Sequence, residues 1–388
     1  MNSQTFSKQN RSRPVLLLVV NVAWYFNLHR LALAKAAQKA GFEVHVATAP
    51  DTVQDVSQIE RAGLVYHPLN MSRGRWRPME DLCLILRLVR LHRRIRPDLV
   101  HHITIKPVLF GTLAARVARV PGIVNAISGL GFVFIATGFR AVVRRRLVML
   151  AYRVLFACRR VRVIFENSDD LHLFISRAIV DRSRAVVIRG VGVDPRRFPL
   201  RKEPIGVPLV VLAGRMLWDK GVREFCEAAA ALRAEGVPAR FALVGPLDPE
   251  NPAAVPASWL EEQQRSNTVE WWGHRSNMAE VYSRASVVCL PSYREGLPTV
   301  LVEAGASGCA IVATDVPGCR EVVSDGVTGL LVPPRNADAL TAALRRLIMD
   351  SELRSSLAAN AFNFVVNELS EDKITQITLR LYRDMLAV

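Results

Sequence analysis

The sequence predicts an α/β protein in which two Rossmann-like domains, each built on a parallel sheet, face a central cleft. Short apolar runs alternate with helical patterns along all 388 residues, which is typical of parallel sheets covered by helices on both faces. The candidate strands are too many for one sheet, and the alternation restarts near residue 208. A chain of this length also has enough residues for two domains of roughly 150–200 residues each.

The candidate strands are short apolar runs of the kind that buried parallel strands require. In the first half of the chain they lie at residues 15–20, 43–47, 65–67, 99–102, 123–127, 162–165 and 185–188. Helical patterns fill the gaps, for example at residues 28–40, 79–94 and 108–118. In the second half the candidate strands lie at residues 209–213, 241–244, 269–272, 286–290, 311–314 and 329–332.

The domain boundaries follow from composition. We predict a disordered tail at residues 1–13, an N-terminal Rossmann-like domain at 14–193 and a linker at 194–208 that is rich in proline and arginine. A C-terminal Rossmann-like domain follows at 209–369. Residues 370–388 form a last helix, and the sequence leaves open whether that helix packs across the hinge.

Basic residues outnumber acidic ones, with 51 Lys and Arg against 35 Asp and Glu and a net charge of +16. The excess lies in residues 1–200, which hold 32 basic and 12 acidic side chains, whereas residues 201–388 carry a net charge of −4. The N-terminal half therefore favours an anionic partner: nucleic acid, anionic lipid or a phosphorylated substrate. We expect no nucleic-acid partner, because no DNA-binding motif and no basic and aromatic interleaving on strands appears.

Two apolar stretches imitate targeting or membrane segments. At the N-terminus no small-residue cleavage pattern follows the apolar run, so a buried first strand is favoured over a signal peptide. Residues 120–139 carry no charge and are long enough to span a membrane. Their glycines, together with Pro121, Asn125 and Ser128, instead favour a strand and a tight loop.

No metal site and no cofactor are predicted. The six cysteines are scattered without a CxxC pair, which indicates reduced core residues in a cytoplasmic protein. His101 and His102 end a strand, and neither has a Cys or a carboxylate at metal-ligand spacing. Because successive strand residues point to opposite sides, we expect one of these histidines to face the cleft and the other to pack inside.

The most informative stretch is PSYREGLPTVLVEAGASG at residues 291–308. A buried strand precedes it and a helix follows, with Pro298 suited to the first turn. Glu295 then lies in the strand-to-helix turn and Glu303 inside the helix. A helix N-terminus at the carboxyl end of a parallel strand binds anions. Since Glu303 is the only charge between Gly296 and Gly308, we expect hydrogen bonds to it from ligand hydroxyls.

A second group of residues lies at 214–221 (GRMLWDKG), after a strand and before a helix. Arg215 and Lys220 follow a strand of the same predicted sheet as Glu295. Alone, such a cation pair is most often a solvated surface feature. Opposite the helix N-terminus after Glu295, it predicts a clamp for a diphosphate.

Together these motifs resemble retaining GT-B glycosyltransferases of the family-4 type. The resemblance covers about residues 207–334: GRMLWDKG, GHRSNMAEVYSRASVVCLPSYREGLPTVLVEAGASG and ATDVPGCREVVSDGVTGLLVPP. The linker residues Gly192, Val193, Asp194 and Phe198 also match the family pattern GVD-x-x-x-F. The resemblance implies the GT-B fold, with a nucleotide sugar bound by the C-terminal domain and the acceptor by the N-terminal domain.

The resemblance implies roles at matching positions. Arg215 and Lys220 would bind the donor diphosphate and stabilise the departing nucleoside diphosphate, Glu295 would lie beside the donor sugar, and Glu303 would hold the ribose hydroxyls. The donor-binding turn and helix start are Gly296, Leu297, Pro298, Thr299 and Val300. Such enzymes react on one face of the sugar without an enzyme nucleophile, and fixed cations remove the need for a metal. UDP is the nucleotide that the resemblance favours.

The N-terminal half departs from the common family pattern. Asn21 to Asn27 (NVAWYFN) replaces a Gly-Gly loop, and Ser128-Gly129 stands where many members carry a histidine. Yet HHITIKPVLFGTLAARVARVPGIVNAISGLGFVF resembles the subgroup that extends sugars on undecaprenyl diphosphate in bacterial polysaccharide and glycan assembly. The candidate acceptor-side residues are Arg73, Thr104, Lys106, Ser128 and Gly129. Of these, Thr104, Lys106 and Ser128 follow strands, and we expect them to face the cleft. Arg73 and Lys106 are candidate contacts to an acceptor phosphate, with solvated cations on surface loops as the alternative.

Two helical segments are dense in arginine. Residues 87–96 hold Arg87, Arg90, Arg93, Arg94 and Arg96, and residues 140–162 hold Arg140, Arg144, Arg145, Arg146, Arg153, Arg159, Arg160 and Arg162. Apolar residues lie between them, a pattern typical of helices on an anionic membrane surface. A solvated basic face is the alternative. Since a polyprenyl acceptor lies in the membrane, we expect a peripheral enzyme on the inner face of the cytoplasmic membrane.

The sequence therefore predicts transfer of a hexose or N-acetylhexosamine from a nucleotide sugar to a lipid-linked sugar. An epimerase of UDP-sugars with the same fold is the first alternative, and a basic nucleic-acid-binding protein is the second. The GRMLWDKG and REGLPTVLVE motifs favour transfer, and an epimerase would not need a basic membrane face.

Overall fold

A computed structural model describes residues 13–71, 77–130, 138–202 and 204–387, with no side chains given for 139–141. In these ranges thirteen strands form two separate, wholly parallel sheets with helices on both faces. The predicted GT-B arrangement of two Rossmann-like domains is confirmed. The central strands are buried on both faces, which is why they appear in the sequence as continuous apolar runs, whereas strands at the sheet edges are only partly buried.

The first sheet contains seven strands in the order β3-β2-β1-β4-β5-β6-β7. They are β1 (Val15–Val22), β2 (Glu43–Ala49), β3 (Val65–Pro68), β4 (Leu99–Ile103), β5 (Gly122–Ile127), β6 (Val161–Phe165) and β7 (Ala185–Val187). The second sheet has the order β10-β9-β8-β11-β12-β13. Its strands are β8 (Leu209–Ala213), β9 (Arg240–Val244), β10 (Glu270–Gly273), β11 (Val287–Leu290), β12 (Ala310–Thr314) and β13 (Leu330–Val332).

Helices connect the strands. Those of the first half are α1 (Ala23–His29), α2 (Leu31–Lys39), α3 (Val53–Arg61), α4 (Pro78–Ile95), α5 (Thr112–Val117), α6 (Phe139–Phe156) and α7 (Ser168–Ser176). Those of the second half are α8 (Val222–Ala234), α9 (Ala257–Arg265), α10 (Met278–Arg284), α11 (Thr299–Ala306), α12 (Ala337–Met349), α13 (Ser351–Glu368) and α14 (Glu371–Leu386). Several begin at a polar cap, such as Asn167, whose side chain accepts the N–H of Asp170.

In both sheets the strand order reverses direction at one place: between β1 and β4 in the first sheet, and between β8 and β11 in the second. At such a switch point the connections on either side leave in opposite directions, which opens a crevice at the carboxyl ends of the two strands. The loops after β1, β4, β8 and β11 are therefore where ligands of this architecture bind.

The chain crosses between the two sheets twice, and the crossings lie side by side. The N–H of Val193 donates to Leu369 O at 2.9 Å, and the N–H of Glu371 donates to Val193 O at 2.8 Å. Gly192 has a φ of +71°, and a Cβ there would come within 2.7 Å of the Ser370 backbone. Glycine at this position is therefore what permits the close approach.

The last helix, α14, returns to the first sheet. Ile374, Leu379 and Tyr382 join the core formed by β1 and β4, and Tyr382 is fully buried. Its hydroxyl lies 2.5 Å from Nδ1 of His101 on β4. The end of the chain thus completes the N-terminal core.

The structure corrects several local expectations. The single helix predicted at 28–40 is two helices, since the backbone breaks at the buried Arg30. In the predicted helix 108–118, Pro107–Gly111 forms a π-helical turn before α5, with Gly111 close against the His102 ring. Cys83 is exposed rather than in the core, although all six cysteines are free thiols.

Two predictions concern segments that lie partly outside the described residues. The tail at 1–13, apart from Arg13, is one of them. Of residues 120–139, Gly122–Ile127 form β5, while 131–137 are not among the described residues. None of the helices in the described ranges has the length and apolarity that a membrane span requires.

Candidate active site

The loops after β8 and β11 meet at the switch point of the second sheet. The N–H of Tyr293 donates to the carbonyl of Asp219 at 2.9 Å, which ties the two loops together. Gly221 closes the first loop with a φ of +73°, and a Cβ there would overlap the carbonyl oxygen of Pro291. The chain therefore needs glycine where these loops touch.

This contact joins two of the predicted site residues. Lys220 ends a short 3₁₀ turn, Trp218–Lys220, and its Nζ lies 2.5 Å from Oε1 of Glu295. Both side chains are largely buried, with 22 % of Lys220 and 11 % of Glu295 exposed. A cation and a carboxylate are thus held together in a site with little water, where each acts strongly on a ligand.

Arg215 lies farther out on the same loop. Its Nη1 pairs with Oδ2 of Asp248 at 2.6 Å, and about half of its side chain is exposed. Arg215, Lys220 and Glu295 all act on Asp219, a residue that the sequence did not single out. Burial, as the main cause, raises the pKa of the Asp219 carboxyl. Two cations and three carboxylates, including Asp248, therefore lie on or beside the loop, and an incoming diphosphate would compete with the carboxylates for the cations.

The N-terminus of helix α11 follows directly after the turn that contains Glu295. Its cap residue is Pro298, which supplies no side-chain acceptor. In the described part of the chain, no acceptor reaches the backbone N–H groups of Thr299 and Val300. These free donors and the helix dipole make the turn from Gly296 to Thr299 suited to an anion.

Glu303 lies one turn farther along α11. The hydroxyl of Tyr282, a fully buried residue on α10, donates to its Oε2 at 2.9 Å. Burial, the dominant cause, raises the pKa of Glu303 to about 7, although the Tyr282 hydrogen bond opposes the shift. A cavity of about 50 Å³ borders Glu303, with Thr299, Arg30 and Asp194 also in its wall. We expected ligand hydroxyls to donate hydrogen bonds to Glu303, and the protein itself supplies one such bond through Tyr282.

Two of the acceptor-side candidates touch the Glu295 turn from the other sheet. Ser128 and Gly129 follow β5, and a Cβ on Gly296 would lie 2.7 Å from the Ser128 carbonyl oxygen. A Cβ on Gly129, whose φ is +96°, would lie 3.2 Å from Gly296. The two domains are therefore in backbone contact where donor and acceptor would meet.

Thr104 lies at the switch point of the first sheet, at the end of β4. Its hydroxyl donates to the side-chain oxygen of Asn21, which is on β1. The backbone of Thr104 has a φ of +75°, which is unusual for a β-branched residue. Strained backbone of this kind concentrates at functional sites, so the position is in keeping with a site residue.

Lys106 does not face an open cleft, contrary to expectation. The residue is 8 % exposed, and its Nζ lies 3.0 Å from Oδ1 of Asp81 on α4. The buried Asp81 carboxylate requires a nearby cation, which explains the placement. Arg73, the remaining acceptor-side candidate, lies outside the described residues.

Comparison with known proteins identifies the architecture. A model described as "Glycosyl transferases group 1" matches residues 207–350, and one described as "Glycosyl transferase 4-like" matches residues 15–168. The chain is also 30% identical, over 366 residues, to N,N'-diacetylbacillosaminyl-diphospho-undecaprenol alpha-1,3-N-acetylgalactosaminyltransferase of Campylobacter jejuni. That alignment covers 91% of this chain and 94% of the relative. The chain belongs to the family-4-type GT-B glycosyltransferases.

Two further proteins are similar to this chain, one by sequence and one by structure. The glycosyltransferase is 25% identical over 324 residues to UDP-Gal:alpha-D-GlcNAc-diphosphoundecaprenol alpha-1,3-galactosyltransferase of Escherichia coli, covering 79% of this chain and 81% of the relative. A crystal structure of Anabaena HepE in complex with UDP and glucose superimposes with a TM-score of 0.76. It is 20% identical and aligns with 95% of this chain and 99% of its own, which shows the shared fold.

Sequence reasoning missed a group of residues in the glycosyltransferase at the end of β6. Glu166 and Asn167 follow that strand, and Arg30 and Arg294 approach from α1–α2 and from the Glu295 turn. Arg30 Nη2 lies 3.4 Å from Glu166, and Arg294 pairs with Asp170. Burial, as the largest cause, raises the pKa of Glu166 to about 7. Their position at the carboxyl end of a parallel strand was the signal that could have revealed them.

The two strand-end histidines are structural. His101 bonds to Tyr382, while Nδ1 of His102 lies 3.0 Å from the side-chain oxygen of Asn125. Both are buried, so neither faces the cleft, because α14 covers one side of β4 and the turn at Pro107–Gly111 covers the other. Burial lowers the pKa of His102 to about 3, which keeps its imidazole neutral. No cluster of metal-ligating side chains occurs within the described ranges.

Proposed function

We propose that this glycosyltransferase moves a hexose or N-acetylhexosamine from a UDP-linked sugar to a sugar carried on undecaprenyl diphosphate, with retention of anomeric configuration. The observation that carries the proposal is the Lys220–Glu295 contact of 2.5 Å beside the open N-terminus of α11. It sets a cation, a carboxylate and free N–H donors around one point at the switch of the second sheet. A sugar on a diphosphate matches that set.

Departure of the diphosphate from the donor sugar depends on how well the site stabilises negative charge. As the bond between the sugar and the diphosphate breaks, negative charge builds on the leaving phosphate, and fixed cations and N–H groups lower the barrier. Lys220 and Arg215 supply the cations, and the N–H groups of Thr299 and Val300 receive the distal phosphate. Glu303, held by Tyr282, accepts the ribose hydroxyls.

Retention follows if the acceptor attacks the face from which the diphosphate leaves. The new bond from the acceptor oxygen to the sugar then forms on the side where the old bond breaks, and the hydroxyl proton passes to a leaving phosphate oxygen. Glu295 is not the nucleophile in this scheme. Its ion pair with Lys220 instead holds it beside the sugar, where it accepts hydrogen bonds.

We also propose that transfer needs no metal ion. A metal in this chemistry would neutralise the diphosphate, and Arg215 and Lys220 carry the charge for that task. Full activity after exhaustive treatment with a chelator is expected. Activity that is lost with the chelator and restored by Mg²⁺ or Mn²⁺ would contradict this part of the proposal.

The choice of acceptor is supported by the relatives and by the cleft. The names of the Campylobacter and Escherichia relatives both specify sugars on a diphospho-undecaprenol. In the present chain the loop at Ser128 and Gly129 meets the donor turn, so an acceptor hydroxyl bound there would lie next to the donor sugar. We infer a role in the synthesis of a cell-surface polysaccharide or glycan.

A membrane-binding face supports a lipid acceptor. Three neighbouring helices expose apolar side chains: Met79, Leu82 and Leu86 on α4, Leu113 and Val117 on α5, and Val143, Leu147, Leu150 and Val154 on α6. We call these the apolar stripes. The Arg116 guanidinium of α5 donates to the Val154 carbonyl of α6 at 2.8 Å, so α5 and α6 lie together.

Arginines border the stripes. Arg87 and Arg90 on α4 and Arg146 and Arg153 on α6 are exposed. Apolar residues that enter the interface, surrounded by cations that bind anionic head groups, are the features of a helix surface that lies on a membrane. We propose that this face attaches the enzyme to the inner surface of the cytoplasmic membrane. A nucleic-acid partner is not part of the proposal.

The test is a screen of UDP-sugars against an undecaprenyl-diphosphate-linked sugar, with the product read by mass spectrometry and its linkage by nuclear magnetic resonance. We expect one sugar to be added with the anomeric configuration of the donor. An inverted product, or a UDP-sugar that is converted to its epimer without acceptor, would reject the proposal. A DNA mobility shift at physiological salt without UDP binding would also reject it.

A further inference from the structure

One peptide unit of the Glu295 turn is held on both sides by the opposite domain. The unit is the bond between Gly296 and Leu297. Nδ2 of Asn167 donates to the carbonyl of Gly296 at 2.9 Å. On the other side the Glu166 carboxylate lies against Gly296. Burial is the main cause of the raised pKa of Glu166, and the backbone N–H of Leu297 is among the groups that oppose this rise. Glu166 and Asn167, which make these contacts, are consecutive in the chain and follow β6 of the first sheet.

Asn167 is fixed in the orientation that this contact requires. Its Oδ1 caps α7 by accepting the N–H of Asp170 at 2.7 Å, and its Nδ2 also lies 3.1 Å from Asp170 Oδ2. The residue is fully buried. Because the cap consumes the oxygen, only the NH₂ group is left to face the other domain, and the carbonyl of Gly296 is what it meets.

The fit around Gly296 allows no side chain. A Cβ there would lie 2.9 Å from Glu166 Oε2, in addition to the contact with Ser128 O described above. Two further contacts join the start of α7 to the C-terminal half of the chain. The N–H of Ser168 donates to Glu321 Oε1 at 2.7 Å, and Arg294 pairs with Asp170. The start of α7 is therefore docked onto the Glu295 turn from one side.

We propose that Glu166 and Asn167 are positioning residues that hold the Gly296–Leu297 peptide across the domain interface, so that the Glu295 turn has its reactive shape only when the domains are closed. The consequence for catalysis rests on the proposed transfer reaction. Glu295 is one residue from the held peptide, so a rotated peptide would displace its carboxylate from Lys220 and from the sugar. Opening of the domains would release the peptide and with it the product.

The first test needs no substrate. Hydrogen exchange of the segment that contains the Leu297 amide is measured by mass spectrometry on the full-length protein. Asn167→Ser keeps a good helix cap but cannot reach Gly296, and Glu166→Ala removes the acceptor for Leu297. Both variants should speed exchange of this segment by about tenfold, the factor for loss of one hydrogen bond near 1.4 kcal/mol. Glu166→Gln keeps an acceptor oxygen and should restore most of the protection.

The second test separates positioning from binding. We expect Asn167→Ser and Glu166→Ala to lower kcat by about tenfold or more, whereas the Kd for UDP changes less than about twofold because the diphosphate clamp lies in the other domain. Asp169→Asn is the matched control. It removes another pair across the interface, Asp169 with Arg320 at 3.0 Å, but both partners are exposed, and such pairs contribute little.

Three results would overturn the proposal. Wild-type exchange at Leu297 in both variants would show that the peptide is not held. An equal loss in Asp169→Asn would show that any contact between the domains has the same effect. A parallel fall of kcat and UDP affinity would indicate general damage. Failure of the wild type to transfer any sugar would reject the proposed function alone, since the exchange test is independent of it.

Discussion

Lys220 Nζ and Glu295 Oε1 are 2.5 Å apart although 75 positions separate the two residues in the chain. The carboxylate and the cation of the donor site are thus held as an ion pair in a largely buried position, where they neutralise one another. Such preorganisation avoids the cost of rearranging charged groups during the reaction. It also means that either residue, if removed, leaves a partly buried charge without its partner.

Replacing Glu295 by alanine is expected to lower transfer by about 10³-fold, the scale for loss of a preorganised polar group at a reacting centre. The fold should remain intact, as judged by the melting temperature and circular dichroism. Glu295→Gln is the informative companion, because it keeps the size and a hydrogen-bond acceptor but loses the charge. Turnover close to wild type in the alanine variant would contradict the proposed role of Glu295 beside the donor sugar.

Replacing Lys220 by alanine should weaken UDP binding by roughly tenfold to a hundredfold, since a hydrogen bond to a charged group contributes about 1.5–3 kcal/mol. Isothermal titration with UDP measures the effect. Arg345→Ala is the control: it also removes a cation and an ion pair from the C-terminal half, Arg345 with Glu235 at 2.6 Å, but on an exposed surface. Unchanged UDP affinity in Lys220→Ala would argue against the clamp.

The raised pKa of Glu303 predicts a pH-dependent effect on stability. The folded protein holds this proton up to about pH 7, whereas the unfolded chain releases it near the ordinary value of 4.5. The carboxyl therefore costs nothing below about pH 4.5 and destabilises the fold increasingly as the pH rises to about 7, with the full cost above that value.

Glu303→Gln carries no such cost. Relative to wild type, its melting temperature should be higher by a few degrees at pH 8, an effect of about 1–3 kcal/mol, and by much less at pH 5. Glu262→Gln, on the exposed surface of α9, is the matched control. Equal differences from wild type at the two pH values would contradict the shift.

The apolar stripes and their arginines predict binding to anionic vesicles. Charge reversal of the exposed Arg146 and Arg153 on α6 should weaken binding by about a hundredfold or more, since each cation near such a surface contributes about 1 kcal/mol. Co-sedimentation with phosphatidylglycerol vesicles measures it. Reversal of Arg240 and Arg345, both in the C-terminal half, is the control for net charge. Undiminished sedimentation of the α6 variant would exclude this face as the anchor.

The sequence was sufficient to predict the strands and the donor loops, and the reason is physical. Strands buried on both faces must be apolar throughout, and parallel strands bring the residues that follow them to one edge of the sheet. Glu295 and Lys220 could therefore be assigned to one place. That they form an ion pair, and that Arg215 turns to Asp248 instead, depends on side-chain packing that no local pattern records.

Contacts between distant parts of the chain were beyond prediction for the same reason. Arg30 interrupts a helical pattern because it pairs with Glu166, 136 positions away. Lys106 follows strand β4, where a residue that faces the cleft is expected, yet its side chain is buried in an ion pair with Asp81 on α4. In each case a buried charge selects its partner in three dimensions, and the local sequence shows only that a charge is present.

The paired crossings at Val193 and Ser370 restrict how the enzyme can move. A single linker would let the two domains swivel in any direction, but two chain segments bonded side by side allow rotation chiefly about the line that joins the domains through them. Gly192 stands at that line, and any larger residue there would push the segments apart. Product release would then follow one defined path of opening rather than a random separation of the two halves.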